Sequence, residues 1–285
     1  MKQIFKSGLW YVEYTLDDGG RLDRLSYNNF DLVTVEPATF KAPSADYGKY
    51  EERPVYGYDD CFPSVEESIF PGFDWKVPDH GEVCWLNWDI NEAENKLLFS
   101  VKSKVLPVQL KRKMIFKKSS INWNFEVCND GSEKIPFQHV MHPLMKLDEI
   151  SGFYLPEFKS VYNKTTDQEL NLKKPLEVQE YLMNKPRGTA TMLFLRHVNE
   201  GKMSWTYKNG LLMKVTFSKE LFPSIGIWWN NMGYPDETGI RRNECAFEPI
   251  PGLTSSISEA FNDDYCLYVS GNNKIKWQII WELFS

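Results

Sequence analysis

Leu97-Leu-Phe-Ser-Val101, Val108-Gln-Leu-Lys-Arg-Lys-Met-Ile-Phe116 and Ile121-Asn-Trp-Asn-Phe-Glu-Val127 decide the fold class. Leu97, Phe99 and Val101 fall at alternate positions in the first run, with Val105 marking the same strand beyond it. Val108, Leu110, Met114 and Phe116 do so in the second, and Ile121, Trp123, Phe125 and Val127 in the third. A period of two places each apolar set on one face of a half-buried strand. Lys117-Lys-Ser-Ser120 reads as the turn between the last two strands, and Lys111, Arg112 and Lys113 as a solvated face.

The same pattern extends outward in both directions. Trp10–Leu16 has strand composition, Asp17-Asp-Gly-Gly20 is a turn, and 21–35 reads as two strands broken at Asn28-Asn29. Downstream, Asn129-Asp-Gly131 turns the chain into a strand carrying His139 and His142. Lys202–Phe217 reads as a hairpin about Asn209-Gly210, for which a two-residue type I′ turn is expected. Ser224–Asn230 is an aromatic strand, and the chain ends in a hairpin joined by Gly271-Asn-Asn273. Short helices are expected only within 175–185 and 255–263. Many strands, few helices and no βαβ alternation predict an all-β protein, a large antiparallel β-sandwich forming one domain over 1–285.

Residues 36–80 break the pattern with six prolines. Their many aromatics, among them Tyr47, Tyr50, Tyr58 and Trp75, argue for packed loops over a site rather than disorder. Aromatic residues make up 15% of the chain, which serves a β-rich core first and a ring-stacking surface second. A net charge of −6 with scattered bases excludes an extended nucleic-acid surface. Five cysteines without C-x-x-C spacing argue against a zinc site or a disulfide framework. A reducing, cytoplasmic setting suits them. No apolar run is long enough to span a bilayer, and no leader pattern opens the chain.

Four places bear candidate chemistry. His142 precedes Pro143, which biases it to an extended conformation on a bend at a strand rim. There it suits proton transfer, or alternatively caps the strand. Glu248 leaves the apolar Cys245-Ala-Phe247 strand at a proline turn, where desolvation raises a carboxylate's pKa and improves it as a base. The alternative is a glutamate paired with Arg241 or Arg242. His80 is a hydrogen-bond donor or a turn residue. Asp59 and Asp60, beside Tyr58 and Phe62, combine acceptors for sugar hydroxyls with rings for a sugar's apolar face. No dinucleotide, P-loop or nucleophile-elbow motif occurs, and His80, His139 and His142 lack the spacing of a metal motif, so no metal is expected.

Taken in order, Gly57-Tyr-Asp-Asp-Cys-Phe-Pro-Ser64, Pro78-Asp-His-Gly-Glu82, His142-Pro-Leu-Met-Lys-Leu147 and Phe247-Glu-Pro-Ile-Pro-Gly252 resemble the galactose mutarotase-like (aldose 1-epimerase) superfamily. The resemblance implies a β-supersandwich and interconversion of the α and β anomers of an aldose. It implies Glu248 as base, His142 as acid and His80 as sugar-binding donor, with no metal or organic cofactor. Tyr58, Trp85, Trp228 and Trp229 are the candidate stacking rings, at least half of them expected to lie in the core, and Asp59 and Asp60 are expected to bind hydroxyls. The partner is a small sugar, with no nucleic acid or membrane. Leu144, Met145 and Lys146 depart from the family's Y-F-N, leaving the sugar's identity open. Alternatives are a non-catalytic sugar-binding homologue and a sugar-phosphate 1-epimerase, for which Arg53, Arg241 and Arg242 are the candidate anion ligands.

Overall fold

The computed structural model describes residues 1–37, 47–50, 53, 55–235 and 241–285. Parts of the expected loop roof, 38–46, 51–52 and 54, lie outside the described residues. The alternating runs become consecutive antiparallel strands, Lys96–Lys102, Val108–Phe116 and Ser120–Asn129. Their register sets Leu110 between Val101 and Val127, and Met114 between Leu97 and Trp123. Apolar rows therefore cross one face of the sheet.

Arg112 belongs to those rows, which corrects the solvated reading of 111–113. It sits between Phe99 and Phe125 and is fully buried, whereas Lys111 and Lys113 alternate outward. Arg112 Nη1 donates to Asp60 and Nη2 donates to the Gly20 carbonyl at 2.6 Å. Asp60 also accepts from the Tyr58 hydroxyl at 2.6 Å and pairs with His139 Nε2 at 3.0 Å. Burial opposes ionisation of Asp60, but Arg112, His139 and Tyr58 outweigh it and hold the carboxyl below its ordinary range. A buried charge network spans the two layers here.

The eight-stranded sheet runs in the order Ile150–Tyr154, Lys202–Tyr207, Leu212–Thr216, Asn273–Phe284, Ser120–Asn129, Val108–Phe116, Lys96–Lys102, Asp89–Ala93. The 202–217 hairpin forms, but not with the expected turn. Gly210 has φ +87° and Asn209 does not have positive φ; Gly210 N donates to the Tyr207 carbonyl and Tyr207 N to the Leu211 carbonyl, each at 2.9 Å. That is a longer loop with a glycine bulge rather than a two-residue turn. Asn28 and Asn29, at +47° and +63°, instead form a consecutive positive-φ pair between paired Tyr27 and Phe30.

Two six-stranded sheets form the facing layer. The first carries Trp10–Thr15, Arg21–Tyr27, Tyr58–Cys61 and Val140–Pro143; the second carries Met145–Lys146, Asn243–Ile250, Ser224–Asn231 and Thr189–Arg196. Rings from the layers meet in the core: Tyr58 lies 4.9 Å from Trp123 and Phe247 lies 5.3 Å from Trp205, between centroids. This is the expected antiparallel sandwich. Helices Pro175–Met183 and Ile257–Asn262 fall within the two predicted windows. Among the described residues, no helix is long and apolar enough to cross a membrane. The chain steps from the first six-stranded sheet to the second through Leu144, so strands Val140–Pro143 and Asn243–Ile250 run side by side. Their outward faces make one floor.

Candidate active site

Strand alternation decides which side chains stand on that floor. Asp59 pairs with His142 across the ladder, so both point outward while Tyr58 and Asp60 point into the core. Glu248 pairs with Gly226, and Trp228 with Ala246, so Glu248 and Trp228 share the outward face. Trp229 points the other way and packs 5.6 Å from Phe153. The expectation that Tyr58, Asp60 and Trp229 touch sugar is therefore corrected: the period of two sends each into the core. Trp228 lines the cavity, and Asp59 stands behind His142. His139 has the parity of the core face and packs against Phe125 and Trp277.

His80, His142 and Glu248 converge on a cavity of about 340 Å³, within the size range of small-ligand pockets. His80 is delivered by the loop after Lys76–Val77 in the left-handed region, φ +60°, which His tolerates better than most residues. Its ring stacks on Tyr50 at 3.6 Å and lies 4.8 Å from the ring of His142. His142 Nδ1 is 2.8 Å from Asp59 Oδ1, and Tyr50 Oη donates to Asp59 Oδ2 at 2.8 Å. Asp59 thus holds the His142 ring with Nε2 directed away from it, 4.0 Å from Glu248 Oε1. That separation is too long for a hydrogen bond. Glu248 Oε1 has no hydrogen-bond partner, although the residue is only 3% exposed.

Gly226 makes room for the carboxylate. A Cβ there would lie 3.2 Å from Glu248 Oε2 and 2.6 Å from Ile250 Cδ1. Burial raises the Glu248 pKa; His142 and His80 pull it back in part, and Asp59 adds to the rise. Burial alone would lower His142. The hydrogen bond and charge of Asp59, with the charges of Glu248 and Glu244, reverse that and raise it to about 9. Asp59 thus favours the imidazolium form of His142, which faces a desolvated Glu248 carboxyl. Such a pair can give one proton and take another.

Residues not singled out as site members complete the pocket. Tyr50 supplies the stack and Asp79 Oδ2 lies 3.1 Å from His80 Nδ1; Cys61, two residues after Asp59 on the same face, is fully buried and lies behind the lining rather than in it. Cys61 was legible from that parity. Lys164 and Arg242 also line the cavity, Lys164 on Glu66 at 3.1 Å and Arg242 on Glu244 at 2.8 Å. Arg53, a candidate anion ligand, is instead buried, donating to Asp18 and to the Cys84 carbonyl at 2.6 Å.

The fold is that of galactose mutarotase-like β-sandwiches. The chain is similar over 99% of its length to 95% of the Slr1438 protein of Synechocystis sp. PCC 6803, with 15% identity and a TM-score of 0.76. It is similar over its whole length to a galactose mutarotase related enzyme from Lactobacillus acidophilus, with 14% identity, 98% of that chain covered and a TM-score of 0.68. A galactose mutarotase-like protein from Lactobacillus casei ATCC 334 matches over 100% of both chains, with 14% identity and a TM-score of 0.68. No protein-family model and no curated protein sequence matches the chain. The likeness is one of fold, and the chemistry rests on the residues above.

Proposed function

We propose that the chain is an aldose 1-epimerase that interconverts α and β anomers by acid–base ring opening. The observation that carries this reading is the 4.0 Å gap between His142 Nε2 and unpartnered Glu248 Oε1. The hydroxyl oxygen and ring oxygen of a hemiacetal share one carbon. A base and an acid each within about 2.6–3.2 Å of one of those oxygens must therefore stand close together. Glu248 takes the proton from the C1 hydroxyl while His142 gives one to the ring oxygen. The C1–O5 bond breaks, the free aldehyde rotates about C1–C2, and closure on the other face returns both protons. His80 donates to a sugar hydroxyl, and Trp228 offers an apolar ring face.

Pairing of Lys164 and Arg242 with carboxylates supports an uncharged sugar over a phosphorylated one. Titrating hexoses against tryptophan fluorescence checks binding: saturable change is expected, reduced in Trp228→Leu by roughly tenfold in affinity, a loss of about 1.4 kcal/mol. An unchanged affinity would remove Trp228 from the sugar site.

The pH dependence follows from the two shifts. Activity needs Glu248 ionised, so kcat/KM falls as pH drops through its raised pKa. It needs His142 protonated, so kcat/KM falls again as pH rises through about 9. Asp59→Asn removes the hydrogen bond and charge that raise His142, so its alkaline limb should move to lower pH. A limb that stays in place would show that Asp59 does not set the acid.

A further inference from the structure

Behind the cavity lining, a buried thiol approaches two cavity-lining imidazoles that are far from it in the chain. Cys61 Sγ and one ring nitrogen each of His80 and His142 lie within 4.8 Å of one another. His139 points to the core, so the three histidines do not meet; Cys61 stands where a third ligand would. Glu248 adds an independent sign of an unfilled valence: Oε1 is buried without a partner and faces His142 Nε2. We propose that this cluster binds a zinc-class divalent cation through Cys61 Sγ, His80 and His142, with Glu248 Oε1 as fourth donor.

The donor set fits that class. One thiolate, two imidazoles and a carboxylate are ligands for zinc and its neighbours, whereas magnesium and calcium require oxygen. Ligand atoms in tetrahedral zinc sites stand roughly 3.5 Å apart, so side-chain rotations of about 1 Å close the cluster on an ion. Asp59 on His142 Nδ1 is the kind of carboxylate partner that orients a metal-bound histidine; Asp79 Oδ2 lies 3.1 Å from His80 Nδ1 without a hydrogen bond to it. Val140, Phe194 and Ile250 pack with Cys61 beneath the site and keep its base dry. Binding breaks the Cys61 S–H bond and removes the His142 Nε2 proton; both protons go to solvent as the two metal–ligand bonds form.

The ion occupies the lone pairs that serve as acid and base, so ion and sugar exclude each other. That consequence rests on the proposed reaction; the binding of the ion does not. The metal-free protein is the one that turns over.

Titrating the chelator-treated chain with Co2+ reads the site directly. A near-ultraviolet thiolate-to-cobalt band saturating at one ion per chain is expected, and added Zn2+ should abolish it. Cys61→Ala should lose the band and weaken binding by more than about tenfold, since even partners outside the ligand set are worth that much. Cys128→Ser, on the outer face of the eight-stranded sheet, should keep it. Cys61→Ala should also retain the metal-free anomerisation rate and resist Zn2+, while Zn2+ stops the parent chain. If Cys61→Ala does not fold, Cys61→Ser gives the same comparison. A parent chain without the band, or a band of equal affinity in both Cys61 variants, overturns the proposal. A Cys61-dependent band in a protein that anomerises no sugar would uphold the metal site and sink the reaction.

Discussion

Glu248→Gln and His142→Asn are each expected to lower the rate of anomer interconversion by about 10²–10⁴. Ring opening moves two protons at two oxygens, so either group alone leaves one transfer to water. The double variant should lose less than the product of the single losses, because the groups act as a unit. Folding should survive. Glu248 has a raised pKa, so its carboxylate form costs stability that grows as pH rises above 4.5 through the folded value. Gln removes that cost, and Glu248→Gln should be at least as stable as the parent at neutral pH. Loss of rate with retained or increased stability is the mark of a functional group held against its solvation preference. Stopped-flow polarimetry and a urea titration on the same sample read both quantities, and near-parental turnover in Glu248→Gln would displace the base from this position.

Arg112→Leu is expected to cost about 3–5 kcal/mol of unfolding free energy, because it leaves Asp60 ionised and uncompensated in the core. His139 and Tyr58 remain on Asp60, but neither supplies the fixed charge or the link to the Gly20 carbonyl. Arg112→Lys should recover part of the loss, since it restores charge without the planar fork. Lys113→Ala, one residue away and facing out, should change stability by about 0.5 kcal/mol or less. Urea midpoints at constant slope give the comparison. Equal effects at 112 and 113 would show that Arg112 is not the buried member of the run.

Arg112 also illustrates what was legible in the chain and what was not. Its position has the parity of Val108, Leu110, Met114 and Phe116, so burial was encoded in the period of two. A run of three bases masked it, because a buried arginine requires a buried acid and Asp60 is 52 residues away. The same parity separates Trp228 from Trp229 and Asp59 from Asp60, but only once the ladder partners are known. Residues 59 and 142 are neighbours because their strands pair, and no local spacing records that. Sandwich architecture was legible because it needs only local alternation and turn residues. Glu248 and His142 stood out through the proline turns beside them. The cluster of Cys61 with His80 and His142 could not, since motif spacings register ligands on one element and these come from a strand, a loop and a second strand.

The hairpin at 202–217 marks a finer limit. Asn-Gly favours a two-residue turn, yet Asn209 spends its side chain on Leu211 N at 3.0 Å and only Gly210 takes positive φ. The strands and their facing residues were unaffected. Sheet register followed the apolar alternation of Met203, Trp205, Met213 and Val215, which the core enforces over several residues.

Anomeric exchange followed by polarimetry, on a panel of freshly dissolved α-aldoses, tests the central claim most directly. The metal-free chain should speed at least one uncharged aldose to its ordinary equilibrium rotation without changing that endpoint. Glu248→Gln and His142→Asn should do so at about 10²–10⁴ lower rate. A parent chain that binds sugar saturably yet leaves every member of the panel at its spontaneous rate would contradict it.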